Sequence, residues 1–256
     1  MHIAILGVGE VGSTLARDLL KEGAQISGWD PDPQNLPDGL QFAASNPDAV
    51  QGADVILSTN LAAVAVDVAR EVLPHLQAGQ VFADMNTSSP AVKRAIDALF
   101  QDHPAIFTDV AIMAPIAPKG IGTPMLACGD GASPFADALS PFGMPVTVLR
   151  EPAGQAATLK LVRSIFYKGL AAVVMETLEA AEQLQLTSYA REQMITLLKD
   201  EQMIDRMVSG SVIHARRRIH EMDAVIDLLQ SLGVEPRTST AARDKLRQLL
   251  EERVVE

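Results

Sequence analysis

Gly7-Val8-Gly9-Glu10-Val11-Gly12 follows an apolar run, Ile3 to Leu6, and opens an amphipathic stretch. A strand, a tight glycine turn and a helix in that order make a cradle for an anion. Gly7 permits the turn, Gly9 lets the backbone approach a pyrophosphate with no side chain in the way, and Gly12 lets helix and strand pack closely. The amide-rich start of the helix then faces the phosphate charge. These six residues predict a bound dinucleotide. Asp30 closes the next apolar run, Gln25 to Trp29, 18 residues past Gly12. A carboxylate there can accept hydrogen bonds from both adenosine-ribose hydroxyls, which favours NAD over NADP. Asp32 adds a second negative charge, and no Arg or Lys lies between Lys21 and Arg70 to hold a 2′-phosphate. Thr59 and Asn60, directly after the run Val55 to Ser58, join the expected cofactor contacts.

Asn86, Thr87 and Ser88 follow another apolar run, Val81 to Met85, and precede Ser89-Pro90. Open α/β sheets bind ligands beyond the C-terminal ends of their strands, so amide and hydroxyl groups there suit a substrate carboxylate. Thr87-Ser88-Ser89-Pro90 also reads as a plain helix N-cap before a first-turn proline. Capping and binding are compatible.

Such groups need a parallel sheet to hold them. Short apolar runs alternate with helix-length stretches, Val11 to Glu22, Ala62 to Val72 and Pro90 to Phe100, which is βαβ rhythm. Ile106 to Met113, Met125 to Cys128 and Val146 to Leu149 read as further strands. The chain then changes character, since 14 of its 15 prolines and 14 of its 17 glycines lie at or before Gly154. The remainder is rich in strong helix formers. The expected fold is α/β, a Rossmann-type doubly wound parallel sheet over residues 1–152, followed by an all-α domain over 153–256.

Composition excludes several classes. Hydrophobic residues at 48% and charged residues at 21% describe an ordinary folded chain. A net charge of −11 repels polyanions, and ten aromatics offer few stacking platforms, so nucleic acid is not an expected partner. No apolar run has the roughly 18 to 20 residues of a membrane span, and no basic segment opens a signal peptide. With one cysteine, Cys128, and no Cys/His pairs at zinc spacing, neither a disulfide nor a metal is expected. The chain reads as cytoplasmic.

Three segments in order resemble the β-hydroxyacid dehydrogenase superfamily, which includes 6-phosphogluconate and 3-hydroxyisobutyrate dehydrogenases. They are the N-terminal glycine turn, Asp84-Met85-Asn86-Thr87-Ser88-Ser89-Pro90, and the stretch from Gly154 through Lys160 to Ser164. The second is similar to the family's D-x-S-T-x-x-P substrate signature, with Asn86 in place of serine. The third looks like the glycine-led helix start that carries the family's catalytic lysine, with Ser164 where asparagine is commoner. The family's Gly-Gly substrate loop corresponds to Met113-Ala114, so the grip on substrate differs. Together with His214-Ala215-Arg216-Arg217-Arg218, these departures look like a branch often labelled 6-phosphogluconate dehydrogenase-like.

The resemblance implies an NAD-dependent oxidoreductase acting on a small 3-hydroxy acid or its semialdehyde or keto partner. Lys160 is then the general acid/base, and an amine near pKa 10.4 must be lowered toward neutrality to act well as a base. Ser164 lies one helical turn beyond it and could orient it or bond the substrate. Lys168 lies further round the helix and joins Met113 and Ala114 as an expected substrate contact. His214, Arg217, Arg218 and Glu221 fall at i, i+3, i+4 and i+7 and could close over an anionic substrate, although a solvated helix face has the same pattern. Relatives of this kind dimerise through C-terminal helices, so a homodimer is expected. An imine reductase shares the architecture but commonly lacks a lysine at the catalytic position. A non-catalytic NAD(H)-binding sensor is the alternative outside enzymes.

Overall fold

The computed structural model describes residues 1–252, which form two compact units, Met1–Lys160 and a second beginning at Leu161. In the first unit, strands β1 (His2–Leu6), β2 (Gln25–Trp29), β3 (Gln41–Phe42), β4 (Val55–Ser58), β5 (Val81–Asp84), β6 (Ile106–Ile112), β7 (Met125–Cys128) and β8 (Val146–Val148) make one sheet of order β3-β2-β1-β4-β5-β6-β7-β8. Its helices are α1 (Glu10–Lys21), α2 (Asn46–Ala49), α3 (Ala65–Val72), α4 (Pro90–Phe100) and α5 (Ala132–Leu139).

Alternation along the strands builds a core on each face. Ile3 and Ile5 point to one side with Val55, Leu57 and Ala83, where α1 packs through Leu15, Ala16 and Leu19. Ala4 and Leu6 point to the other with Ile56 and Phe82, under α3 and α4. Gly12, Leu15, Ala16 and Leu19 are buried at i, i+3, i+4 and i+7, a helix dictated by its apolar stripe. The strand order reverses between β1 and β4, which places the crevice of a doubly wound sheet beyond their C-terminal ends.

The sheet is parallel from β3 to β6, but β7 runs antiparallel to β6, with Asp109 opposite Cys128. A parallel return needs a crossover, usually a helix. The segment between β6 and β7 holds Pro115, Pro118 and Pro124 and forms only a single 3₁₀ turn, Gly120–Gly122. It reverses the chain instead.

The second unit is helical. Helix α6 (Gln155–Gln183) starts in the first unit and continues into it, followed by α7 (Thr187–Leu198), α8 (Glu201–Ile213), α9 (Ala215–Ser231) and α10 (Arg237–Glu252). One cluster joins Leu161 of α6 to Met222 and Val225 of α9 and Leu246 of α10. Another joins Ala171 and Val174 to Ile204 and Met207 of α8.

Candidate active site

The glycine turn sits where β1 enters α1. Gly7 has φ +97°, and a Cβ there would stand 2.7 Å from Asn60 N; a Cβ on Gly12 would stand 2.0 Å from Gly7 O. Both glycines are therefore required by the chain itself. Gly9 is not, because beyond the adjoining chain no heavy atom of the described residues lies within 4 Å of its Cβ position. It is the residue before α1, and no side chain caps that helix among the described residues. An open approach at Gly9 and an uncapped helix start fit a dinucleotide pyrophosphate. Glu10 and Val11 form the first turn of α1.

The neighbouring expected residues gather around this turn. Val8 N donates to Asp30 Oδ2 at 2.8 Å, so the carboxylate at the end of β2 touches the turn. Asp32 N donates to the other oxygen at 2.9 Å. Thr59 Oγ1 donates to Gly7 O at 2.7 Å, and the Asn60 backbone lies against Gly7.

A second group lies at the C-terminal end of β5. Ser89, not Thr87 or Ser88, is the N-cap of α4, its Oγ accepting from Val92 N. Thr87 Oγ1 accepts from Lys160 Nζ at 2.7 Å. Asn86, Thr87, Ser88, Ala157 and Lys160 line one small pocket. The Asn86 amide nitrogen donates to Asp84 Oδ1, to Ser58 Oγ at 3.2 Å and to Asn60 Oδ1 at 3.1 Å. That network links the 86–88 loop to the loop after β4. Asn86 Oδ1 and Ser88 Oγ are buried without a hydrogen-bond partner among the described residues. Met113 N donates to Pro124 O at 2.9 Å, and its side chain packs on Ala111, Cys128 and Ala156; Ala114 follows it, partly buried.

Charge forms part of this pocket's wall, because Lys93 is among the residues that line it. Lys93, on α4, is buried between Asp84 and Asp109, which are themselves buried. Burial opposes its charge, but the two carboxylates outweigh that effect and raise its pKa. Asp109 Oδ2 also accepts from Gly154 N and Ala157 N at the start of α6. Cys128 Sγ contacts the same carboxylate, and burial, with Asp109 adding to it, pushes the thiol up to about 11. The sequence shows Asp84 only as the first letter of the Asp84–Pro90 motif and singles out neither Asp109 nor Lys93. The available signal was Lys93 falling in the apolar stripe Pro90, Lys93, Ile96 and Phe100 of α4.

In the second unit, Ser164 and Lys168 meet on α6, with Lys168 Nζ 3.1 Å from Ser164 Oγ, and both bond Glu221 of α9. Burial lowers the Lys168 pKa; Glu221 opposes this, while Arg218 and Arg217 reinforce it. The guanidinium carbons of Arg163 and Arg218 each stand 5.7 Å from the Tyr167 ring centre. The expected face from His214 to Glu221 is divided. His214 is the joint between α8 and α9, Arg217 is exposed, and Arg218 and Glu221 are buried. Among the described residues, no group of three His, Cys, Asp or Glu side chains could hold a metal, and no helix is long and apolar enough to cross a membrane.

The family description "NAD binding domain of 6-phosphogluconate dehydrogenase" matches residues 2–133, and a family described as a domain of unknown function matches 177–249. The chain belongs to this 6-phosphogluconate dehydrogenase-type family and, with it, to the β-hydroxyacid dehydrogenase superfamily of NAD(P)-dependent oxidoreductases. It is similar to an uncharacterized 28.5 kDa protein of Methanothermus fervidus, 27% identical over 92% of this chain and 94% of that one. It is also similar to an NAD-dependent L-serine dehydrogenase of Pseudomonas aeruginosa, 29% identical over 51% of this chain and 47% of that one. In fold it matches a Mycobacterium tuberculosis 3-hydroxyisobutyrate dehydrogenase with L-serine, at TM-score 0.79 and 19% identity over 96% and 92% of the two chains. A Myxococcus stipitatus imine reductase with NAD+ shares the fold at TM-score 0.66 and 18% identity, over 98% and 94%.

Proposed function

We propose that this chain is an NAD-dependent dehydrogenase or reductase acting on the CH–OH group of a small 3-hydroxy acid, or on the matching semialdehyde or keto acid. The observation that carries this reading is the 2.7 Å hydrogen bond from Lys160 to Thr87, which joins the lysine segment to the Asp84–Pro90 segment beside the glycine turn's sheet edge. Residues 1–152 act as the cofactor domain and 153–256 as the substrate and dimerisation domain. Asp30, touching the turn through Val8 N, sets the preference for NAD.

When bound, the nicotinamide ring supplies the hydride acceptor. Lys160, in its neutral form, takes the substrate's hydroxyl proton onto Nζ as the carbon passes its hydride to the nicotinamide, leaving a carbonyl product and an ammonium. In the reductive direction Nζ returns that proton. Thr87 orients Nζ by accepting from it. The Asn86 amide nitrogen is committed to Asp84, Ser58 and Asn60, so its oxygen is left to accept from a substrate hydroxyl or ammonium. Ser88 donates to the substrate carboxylate. The main chain at Met113 and Ala114 completes the contacts to its anionic end.

Exposed Val162, Phe166 and Val173 on α6 support a homodimer through the helical domain, and a buried lone thiol suits a cytoplasmic setting. The test is nicotinamide absorbance with NAD and L-serine, 3-hydroxyisobutyrate and 3-hydroxypropionate, for wild type and Lys160→Ala. Wild type is expected to turn over at least one acid, and Lys160→Ala none while keeping its NADH affinity. Normal turnover by Lys160→Ala sinks its acid/base role; reduction of a cyclic imine in place of the acids moves the assignment to imine reductases.

A further inference from the structure

Lys93 takes no part in the reaction just described, yet it joins two segments that do. Its side chain is 1% exposed, and those of Asp84 and Asp109 are 0% exposed. Each carboxylate divides its oxygens in the same way. One oxygen faces the ammonium, Asp84 Oδ2 at 2.8 Å and Asp109 Oδ1 at 3.2 Å. The other holds a piece of the site. Asp84 Oδ1 accepts from the Asn86 side chain, and Asp109 Oδ2 accepts from Gly154 N and Ala157 N at 3.0 and 3.1 Å. The ammonium also donates to the Asp84 carbonyl at 2.7 Å, at the very end of β5.

One buried charge thus ties the 86–88 loop to the first turn of α6, and the two tied segments meet again where Lys160 bonds Thr87. Packing alone does not call for such an arrangement, because apolar replacements of buried ion clusters are often as stable. What the ions add is direction, since each acceptor fixes a donor at one place. We propose that Lys93 is a positioning residue, setting the spacing between the 86–88 loop and Lys160 through Asp84 and Asp109. The proposal rests on the reading of Lys160 as the acid/base group.

Amide hydrogen exchange on the NADH-bound protein tests the tie without relying on turnover. Asp84→Asn alters the loop side of the cluster, yet it is expected to speed exchange at Gly154 and Ala157 by about tenfold, because the coupling passes through Lys93. Lys93→Met is expected to speed exchange there and at 86–88. It is also expected to lower kcat about a hundredfold, for whichever of the three acids is turned over, with NADH affinity within about twofold of wild type. Unchanged exchange at Gly154 and Ala157 in Asp84→Asn overturns the proposal. So does a folded Lys93→Met that keeps wild-type kcat. Where Lys93→Met fails to fold, the Asp84→Asn exchange decides alone. Full activity in Lys160→Ala removes the acid/base reading instead, and the exchange result still decides whether the tie exists.

Discussion

Gly9 and Gly12 separate two reasons for a glycine in the turn. At Gly12 the chain itself leaves no room, so Gly12→Ala is expected to cost about 1–3 kcal/mol in urea unfolding through overpacking against Gly7 O. At Gly9 the Cβ has open space, so Gly9→Ala is expected to leave stability within about 0.5 kcal/mol of wild type. It should nevertheless weaken NADH binding, measured by nicotinamide fluorescence, by about tenfold or more if the pyrophosphate approaches there. Unaltered NADH affinity would mean that the turn does not hold the phosphates. Ser88 and Ser89 divide in the same way. Ser89→Ala removes the α4 cap and is expected to cost about 1 kcal/mol while sparing KM. Ser88→Ala deletes a buried hydroxyl that has no partner among the described residues, so it should raise KM for the acid without lowering stability.

At the scale of elements, α4 carries the buried cluster, and its ionisation should be visible in stability. Folding raises the Lys93 pKa above its ordinary 10.5. Its contribution is therefore complete below pH 10.5 and is lost as pH climbs through the raised value. Urea midpoints are expected to fall in that alkaline range, and to fall less steeply in Lys93→Met. A fall of equal steepness in the two proteins would place the alkaline loss elsewhere. The same helix shows what can be read in a sequence. Pro90 to Phe100 is legible as a helix because Pro opens it and its apolar spacing holds, and Ser89 caps it as the pattern suggests. Lys93 is not legible by type, since lysine on a helix ordinarily faces water; its place in the apolar stripe is the only trace. β3 leaves less still, being two exposed residues that pair with Ser27 and Gly28. The four-residue α2 is likewise too short for periodicity to reveal. The antiparallel β7 follows from a segment whose prolines mark a loop without marking its direction.

For the whole molecule, the change from a glycine- and proline-punctuated sheet to a helical unit is written in composition, and both are present. Contacts between residues far apart are not, as Glu221 joining Ser164 and Lys168 across more than fifty positions illustrates. No local pattern distinguishes buried Arg218 from exposed Arg217 beside it. Phe166, 71% exposed on α6, is the side chain through which the proposed homodimer is most directly tested. Phe166→Glu is expected to shift the protein from dimer to monomer in sedimentation, and an unchanged mass would move the interface off this face. The burial of Cys128 has a practical corollary. A thiol held at about 11 and buried at the end of β7 stays protonated in neutral buffer and out of reach of maleimides. The native protein is therefore a blank background for site-specific labelling, and a cysteine placed at Leu197, 82% exposed on α7, would take a dye alone.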